Sequence, residues 1–167
     1  MSEPRAHVLN ADDAEETAYE GNAHFHSHVK RLTPRGAALG VRLNRVAPGK
    51  TACPFHTHQL EHEAFFVLSG RGVLRYGGEL RELRPGDCVY CPAGTGAAHQ
   101  LANPFEAELV YLCIGNDDPN EVCTYPDSGK IMVRSLKRVG VLDDRAYLAG
   151  EPESPAIFEL FAKSTGS

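Results

Sequence analysis

His56 and His58 stand two residues apart in the stretch Gly49-Lys-Thr-Ala-Cys-Pro-Phe-His56-Thr-His58-Gln-Leu-Glu61-His62-Glu63. In an extended backbone alternate side chains share a face, so the two imidazoles can converge on one ion. A carboxylate follows at Glu61 or Glu63, and a third imidazole, His99, comes after the glycine-containing stretch Pro92–Ala98. Three imidazoles and one carboxylate fill four positions of an octahedron and leave two for water or substrate. Neutral imidazole suits Zn, Fe, Ni and Cu, and the carboxylate adds tolerance for Mn, so ligand type does not choose the metal. An isolated H-x-H is a weak signal, and its plainer reading is a pair of surface or core histidines. The residues around it decide the matter.

Those residues resemble the two motifs of the cupin superfamily. The first runs G-x5-H-x-H, three or four residues, E, six residues, G. Gly49, His56, His58, Glu63 and Gly70 match it with one extra residue before His56. The spacing to Gly70 selects Glu63 over Glu61. The second motif, G-x5-P-x-G-x2-H-x3-N, is matched by Gly86, Pro92, Gly94, His99 and Asn103 with two extra residues before the histidine. If Gly96 is the motif glycine the last part fits unchanged, and a glycine-rich turn can absorb the insertion. The inter-motif segment, residues 71–85, has the short length of compact single-domain cupins.

The resemblance spans roughly residues 40–115. It implies an all-β fold, a cupin-type double-stranded β-helix or jelly-roll barrel, with one divalent metal ion held by His56, His58, Glu63 and His99. Zn, Fe, Mn and Ni all fit, with zinc ranked slightly ahead. It also implies a homodimer. Tyr125-Pro-Asp-Ser-Gly-Lys130 resembles a YPDS-type segment of cupins once labelled sugar-phosphate isomerase-like, a label that concerns fold more than chemistry.

The elements that must position these residues are short strands separated by Gly and Pro every eight to twelve residues, the pattern of a sandwich or barrel. Val41–Val46, Glu63–Leu68, Val73–Tyr76, Glu79–Leu83, Cys88–Cys91, His99–Ala102 and Glu108–Ile114 read as strands. Gly77-Gly78 is a two-residue hairpin turn. Residues 1–39 form an N-terminal extension with a possible edge strand, and Asp12–Glu20 has the composition of a short helix. Residues 116–167 form a loop and tail packing on the barrel, with Ile131–Val133 extended, a helix expected at Asp143–Leu148 and an apolar stretch at Ile157–Phe161.

Other residues invite chemistry less strongly. Phe65 and Val67 share the parity of Glu63 and so face the interior. Phe65, Tyr111, Tyr125, Asp127 and Lys130 are the candidate substrate-binding residues, with core packing as the plainer role for the first two and a solvated turn for the last three. Tyr111 and Cys113 could line the interior from a later strand, their parity open. His62 points away from the ion. His24, His26 and His28 alternate along one strand face, where a polar surface or dimer contact outranks a second metal site. Cys88 and Cys91 form a C-x-x-C, but strand residues three apart face opposite ways, so the cysteines read as reduced thiols.

The composition bounds the rest. The 167 residues carry 22 acidic and 17 Lys or Arg side chains, a formal net charge of −5. That balance argues against a nucleic-acid surface, which needs clustered basic residues. No apolar run reaches the roughly 18 residues of a membrane span. The polar, acidic start resembles no export signal, so the expected location is cytoplasmic. No nucleophile elbow, P-loop or dinucleotide fingerprint is present. The function expected is a metal-dependent enzyme acting on a small oxygen-bearing metabolite, of dioxygenase or isomerase type. The alternative is a non-catalytic, metal-dependent small-molecule binding protein.

Overall fold

The computed structural model describes residues 6–165, so the first five residues of the expected N-terminal extension and the last two of the tail lie outside it. Fourteen strands and one helix follow one another among the described residues: β1 (Glu16–Glu20), β2 (His26–Arg31), β3 (Gly40–Val46), β4 (Lys50–Thr51), β5 (Thr57–His58), β6 (Glu63–Ser69), β7 (Gly72–Tyr76), β8 (Glu79–Leu83), β9 (Cys88–Cys91), β10 (His99–Asn103), β11 (Leu109–Gly115), β12 (Val122–Tyr125), β13 (Lys130–Val133), β14 (Arg138–Val141) and α1 (Ala156–Thr165). A six-stranded sheet runs β1-β2-β3-β11-β6-β9, and two four-stranded sheets run β4-β10-β7-β8 and β14-β13-β12-β5. All strand pairings are antiparallel.

Alternation along the strands builds one core. On β6, Phe65 and Val67 are buried while Phe66 and Leu68 are not, and on β11 Leu109, Tyr111 and Cys113 are buried. With Leu74 and Leu101 from the facing sheet they form a single apolar cluster. The parity left open for Tyr111 and Cys113 is therefore inward. A one-residue slip of either strand would turn this set outward, which is why the register is fixed.

Two motif residues serve this scaffold. Gly70 closes the β6–β7 turn at φ 74°, and a Cβ there would lie 2.1 Å from the Glu108 carbonyl oxygen. Asn103 is 1% exposed, and its side-chain amide donates to the carbonyls of Val46 and Ala107, each at 2.8 Å. It ties the end of β10 to the ends of β3 and the following loop.

The flanking segments correct three expectations. The short helix expected over Asp12–Glu20 is a turn followed by β1, because residues 16–20 find a ladder partner in β2. No helix forms at Asp143–Leu148; α1 starts instead after Pro155, with Glu159 in its first turn and Lys163 in its last, as the helix dipole favours. The tail does not pack on the barrel as a whole: β12 and β13 join a sheet, but every residue from Ser135 to Ser164 is exposed. All five cysteines are free, with Cys88 exposed and Cys91 buried on opposite faces of β9.

Candidate metal centre

Four side chains from four places in the chain meet at the inner wall of the barrel. His56 precedes β5, and reciprocal backbone hydrogen bonds join it to His99 at the start of β10 (3.1 and 2.8 Å). His58 ends β5, and Glu63 opens β6. One ligand atom from each of His56, His58, Glu63 and His99 lies within 4.8 Å of every other. His56 Nε2 and His58 Nε2 are 3.0 Å apart, and Glu63 Oε2 lies 2.9 Å from His99 Nε2 and 3.5 Å from His58 Nε2. His56 and His99 are buried, at 8% and 2% exposed.

The outer contacts of these groups orient them for a cation. His56 Nδ1 lies 2.8 Å from the Pro54 carbonyl oxygen and must donate to it, which leaves the Nε2 lone pair facing His58. His58 Nδ1 faces Cys123 Sγ at 3.5 Å and the carboxylates of Glu121 and Glu61 at 3.5 and 3.6 Å. That environment also favours a proton on Nδ1 and a lone pair on Nε2. Two Nε2 atoms so disposed at 3.0 Å need a proton or a cation between them. Glu63 Oε1 accepts from the Cys113 thiol at 2.9 Å, leaving Oε2 for the histidines. The donor set therefore fits a divalent ion of the Zn, Fe, Mn or Ni type.

The protonation equilibria of these groups are under the same tension. Burial, with the neighbouring His99 and His58, lowers the pKa of His56 from 6.5 to about 4. For His58 burial works against the charge, but hydrogen bonds to Cys123 and Glu63 and the charge of Glu63 outweigh it and raise the pKa to about 10. Burial alone would raise Glu63, yet hydrogen bonds with His58, His99 and Cys113 hold it well below 4.5. Without metal the pocket keeps one carboxylate and one imidazolium, the charge that an ion would replace.

A cavity of about 300 Å³ opens onto this wall and is lined by His56, His58, Glu63, Phe65, Tyr111 and Tyr125, among others. Phe65 packs edge-on to both His99 and Tyr111 (5.6 and 5.7 Å between ring centres). The Tyr125 ring stacks over His56 at 6.1 Å. Of the substrate-binding candidates, Phe65, Tyr111 and Tyr125 share the metal cavity. Asp127 and Lys130 line a neighbouring groove of about 580 Å³ instead. Asp127 is clamped by Arg75 at 2.6 and 3.0 Å, and Lys130 lies 5.3 Å from the Tyr125 ring centre.

The remaining histidines have other partners. His62 points outward and meets the Tyr90 hydroxyl at 2.7 Å. His26 and His28 lie 3.6 and 3.3 Å from Glu20 and Glu16, and His24 Nδ1 lies 3.1 Å from the Gly49 carbonyl oxygen.

Sequence reasoning missed the support around His58. Glu121 is fully buried and accepts the backbone N–H groups of Gln59, Leu60 and Glu61. Glu61, weighed as an alternative ligand, forms a two-pronged ion pair with Arg134 and accepts the Asp118 N–H. A further three-residue group, His58, Glu121 and Cys123, shares the same imidazole. Glu121, Cys123 and Arg134 follow the last motif by many residues in a segment without periodic pattern, so only the odd apolar-flanked acid in Asn120-Glu121-Val122-Cys123 could have pointed to them.

Comparison with known proteins bears on the family and the fold. Residues 42–115 match the sequence model of the cupin domain, a span that holds both histidine motifs. A protein of Acidithiobacillus ferrooxidans named "Putative sugar phosphate isomerase" is 30% identical, with a TM-score of 0.62 over 70% of this chain and 80% of its own. A sugar phosphate isomerase from a cupin superfamily, from Silicibacter pomeroyi, is 26% identical with a TM-score of 0.72, over 87% of this chain and 98% of its own. A cupin-2 domain protein of Rhodospirillum rubrum shares the fold at 19% identity and a TM-score of 0.58, covering 96% of both chains. An uncharacterized protein of Methanocaldococcus jannaschii is 28% identical over 81 residues, 48% of this chain and 56% of the relative. The chain thus spans a little over half the length of that curated relative. A domain match through both histidine stretches, together with a relative 30% identical over four-fifths of its length, means that this chain belongs to the cupin superfamily.

Proposed function

We propose that this chain is a metal-dependent enzyme acting on a small oxygen-bearing metabolite, of isomerase or dioxygenase type. The observation that carries the proposal is that His56, His58 and Glu63 are at once neighbours in the four-ligand cluster and walls of the same cavity. A ligand in that cavity would meet the ion's open side. A bound divalent ion would supply Lewis acidity toward a substrate oxygen. Zinc ranks first among the candidates, followed by iron, manganese and nickel.

The chain's own residues have separable tasks. Phe65 and Tyr111, both buried, wall the inner end and keep water from it. Burial raises the pKa of the Tyr125 phenol, so its hydroxyl stays protonated and is a hydrogen-bond donor beside His56. Cys113 holds Glu63 by its outer oxygen, and Pro54 holds His56 by its outer nitrogen. The isomerase type draws support from the two relatives whose names carry sugar phosphate isomerase.

The test is turnover of a panel of sugars, sugar phosphates, carbonyl acids and phenols by protein loaded in turn with Zn, Fe, Mn and Ni. Turnover that chelation abolishes and one metal restores supports the proposal. Ligand-dependent thermal stabilisation without turnover of any panel member would favour the binding-protein reading. That second reading has one observation behind it: the carboxylates Glu61 and Glu63 of the cavity wall are both engaged, so neither is a free base for proton transfer. A homodimer and a cytoplasmic location belong to the same proposal. No helix among the described residues is long and apolar enough to cross a membrane.

A further inference from the structure

A second groove, of about 530 Å³, adjoins the metal cavity, and Tyr19, Val29, Arg42 and Arg134 line both. Arg31 and Arg35 complete a set of four guanidinium groups on its walls. Three come from β2, the turn after it and β3, and the fourth from the residue after β13, which the fold brings beside them from a distant stretch. On a chain with net charge −5 this is a local reversal of sign. Glu15 and Asp117 also face the groove, and Glu61 stands behind Arg134. Four cations against three carboxylates leave an excess of positive charge.

The arrangement around Asp117 is informative. Its carboxylate meets Arg31 at 3.1 Å and Arg42 and Arg134 at 3.5 Å each. One carboxylate shared among three guanidinium groups holds them together while taking only one nitrogen from each. A guanidinium carries five N–H donors in a planar fork. Arg31 and Arg42 each give one side-chain nitrogen to Asp117, and Arg35, exposed in its turn, has no ion pair among the described residues. Spare forks at the junction of two cavities suit a planar or tetrahedral oxyanion, which arginine binds two-pronged.

We propose that this groove is an anion subsite that takes the phosphate or carboxylate group of the ligand, with Arg42 at the junction, Arg31 and Arg35 beyond, and Arg134, whose fork is taken by Glu61, contributing charge alone. That the rest of the ligand then reaches His56, His58 and Glu63 rests on the functional reading above; the anion affinity of the arginines does not. Lost two-pronged contacts to a charged group should weaken binding about tenfold or more.

The experiment is calorimetric titration of inorganic phosphate and, separately, of malonate into the full chain, before and after chelator treatment. Binding of either probe that weakens about tenfold in Arg42→Gln, weakens measurably in Arg35→Gln, and changes less than about twofold on chelation supports the subsite. Which probe binds more tightly distinguishes phosphate from carboxylate ligands. Arg35 is exposed, so its variant is expected to fold even if Arg42→Gln does not; retained β-sheet circular dichroism checks both. No binding of either probe, or binding that survives both arginine substitutions, overturns the proposal. Binding lost on chelation but indifferent to arginine would place the anion on the metal, and would overturn the subsite while leaving the metal centre standing. Failure to find turnover would leave this result unaffected.

Discussion

The Glu121 carboxylate lies 3.5 Å from His58 Nδ1, on the side of the ring turned away from Glu63. The same fully buried carboxylate accepts the N–H groups of Gln59, Leu60 and Glu61 at 2.8, 3.0 and 2.5 Å. It therefore fixes both the loop after β5 and the tautomer of the imidazole that β5 presents. Metal-bound histidines in general need such a partner on their outer nitrogen.

Replacing Glu121 tests that role. Glu121→Ala strips three buried N–H groups of their acceptor and should cost about 3 kcal/mol or more of stability in denaturant unfolding. Glu121→Gln keeps one acceptor oxygen and should retain more stability. In it, zinc or manganese affinity should still fall about 10- to 100-fold, because the charge behind His58 is gone. Unchanged metal affinity in a folded Glu121→Gln protein would contradict the assignment.

The pH dependence of metal binding follows from His58. Its pKa of about 10 in the metal-free protein means that a proton must leave before Nε2 can ligate. Affinity should thus rise about tenfold per pH unit from neutrality toward that value, with measurable proton release on titration. Stability of the metal-free protein has the matching signs. The raised His58 contributes below pH 6.5, and that contribution is lost as pH climbs through about 10. The depressed Glu63 contributes above pH 4.5 and is lost on acidification, and His56, which stays neutral down to about pH 4, loses its contribution between 6.5 and 4. Metal affinity flat across neutral to alkaline pH would count against the protonated His58.

Gly70→Ala should destabilise the barrel without touching the ligands. The residue sits at φ 74° with the Glu108 carbonyl oxygen 2.1 Å from any added Cβ, so the β6–β7 turn and the following loop must part. A loss of about 3 kcal/mol or more is expected in chemical denaturation, against about 1 kcal/mol or less for Gly78→Ala, which has open space and no left-handed φ. Equal losses at the two sites would contradict the close approach.

The exposed tail bears on assembly. Tyr147, Leu148, Ile157, Phe158 and Leu160 are all more than 60% exposed, an unusual apolar load for a lone chain. The full chain should run in multi-angle light scattering at twice its 18.2 kDa, and a chain ending at residue 142 should shift toward monomer. A monomeric full chain would remove the homodimer.

Much of this was legible in the residues themselves. Parity put His56 and His58 on one face, and the resemblance to the two cupin motifs supplied Glu63 and His99, which the structure brings together with them. Phe65 followed from the parity of Glu63, whereas Tyr111 needed the β6–β11 register to be placed inward. Asp127 could not be assigned from sequence because its partner, Arg75, is 52 residues away on β7. The same holds for Glu121 and Arg134, which reach the site through long-range pairing of β12 and β5 that no local pattern announces. The misplaced helix has a simpler cause: Asp143–Leu148 is six residues long and stops at Gly150, too short to hold a helix alone, while Ser154-Pro155 starts a ten-residue one.

Metal content of the purified protein measured beside His56→Ala and His99→Ala is the most direct test of the central claim. One equivalent of a divalent transition metal in the parent chain, with near-complete loss in both variants while β-sheet circular dichroism is retained, is the expected result. Equal metal content in all three folded proteins would contradict it.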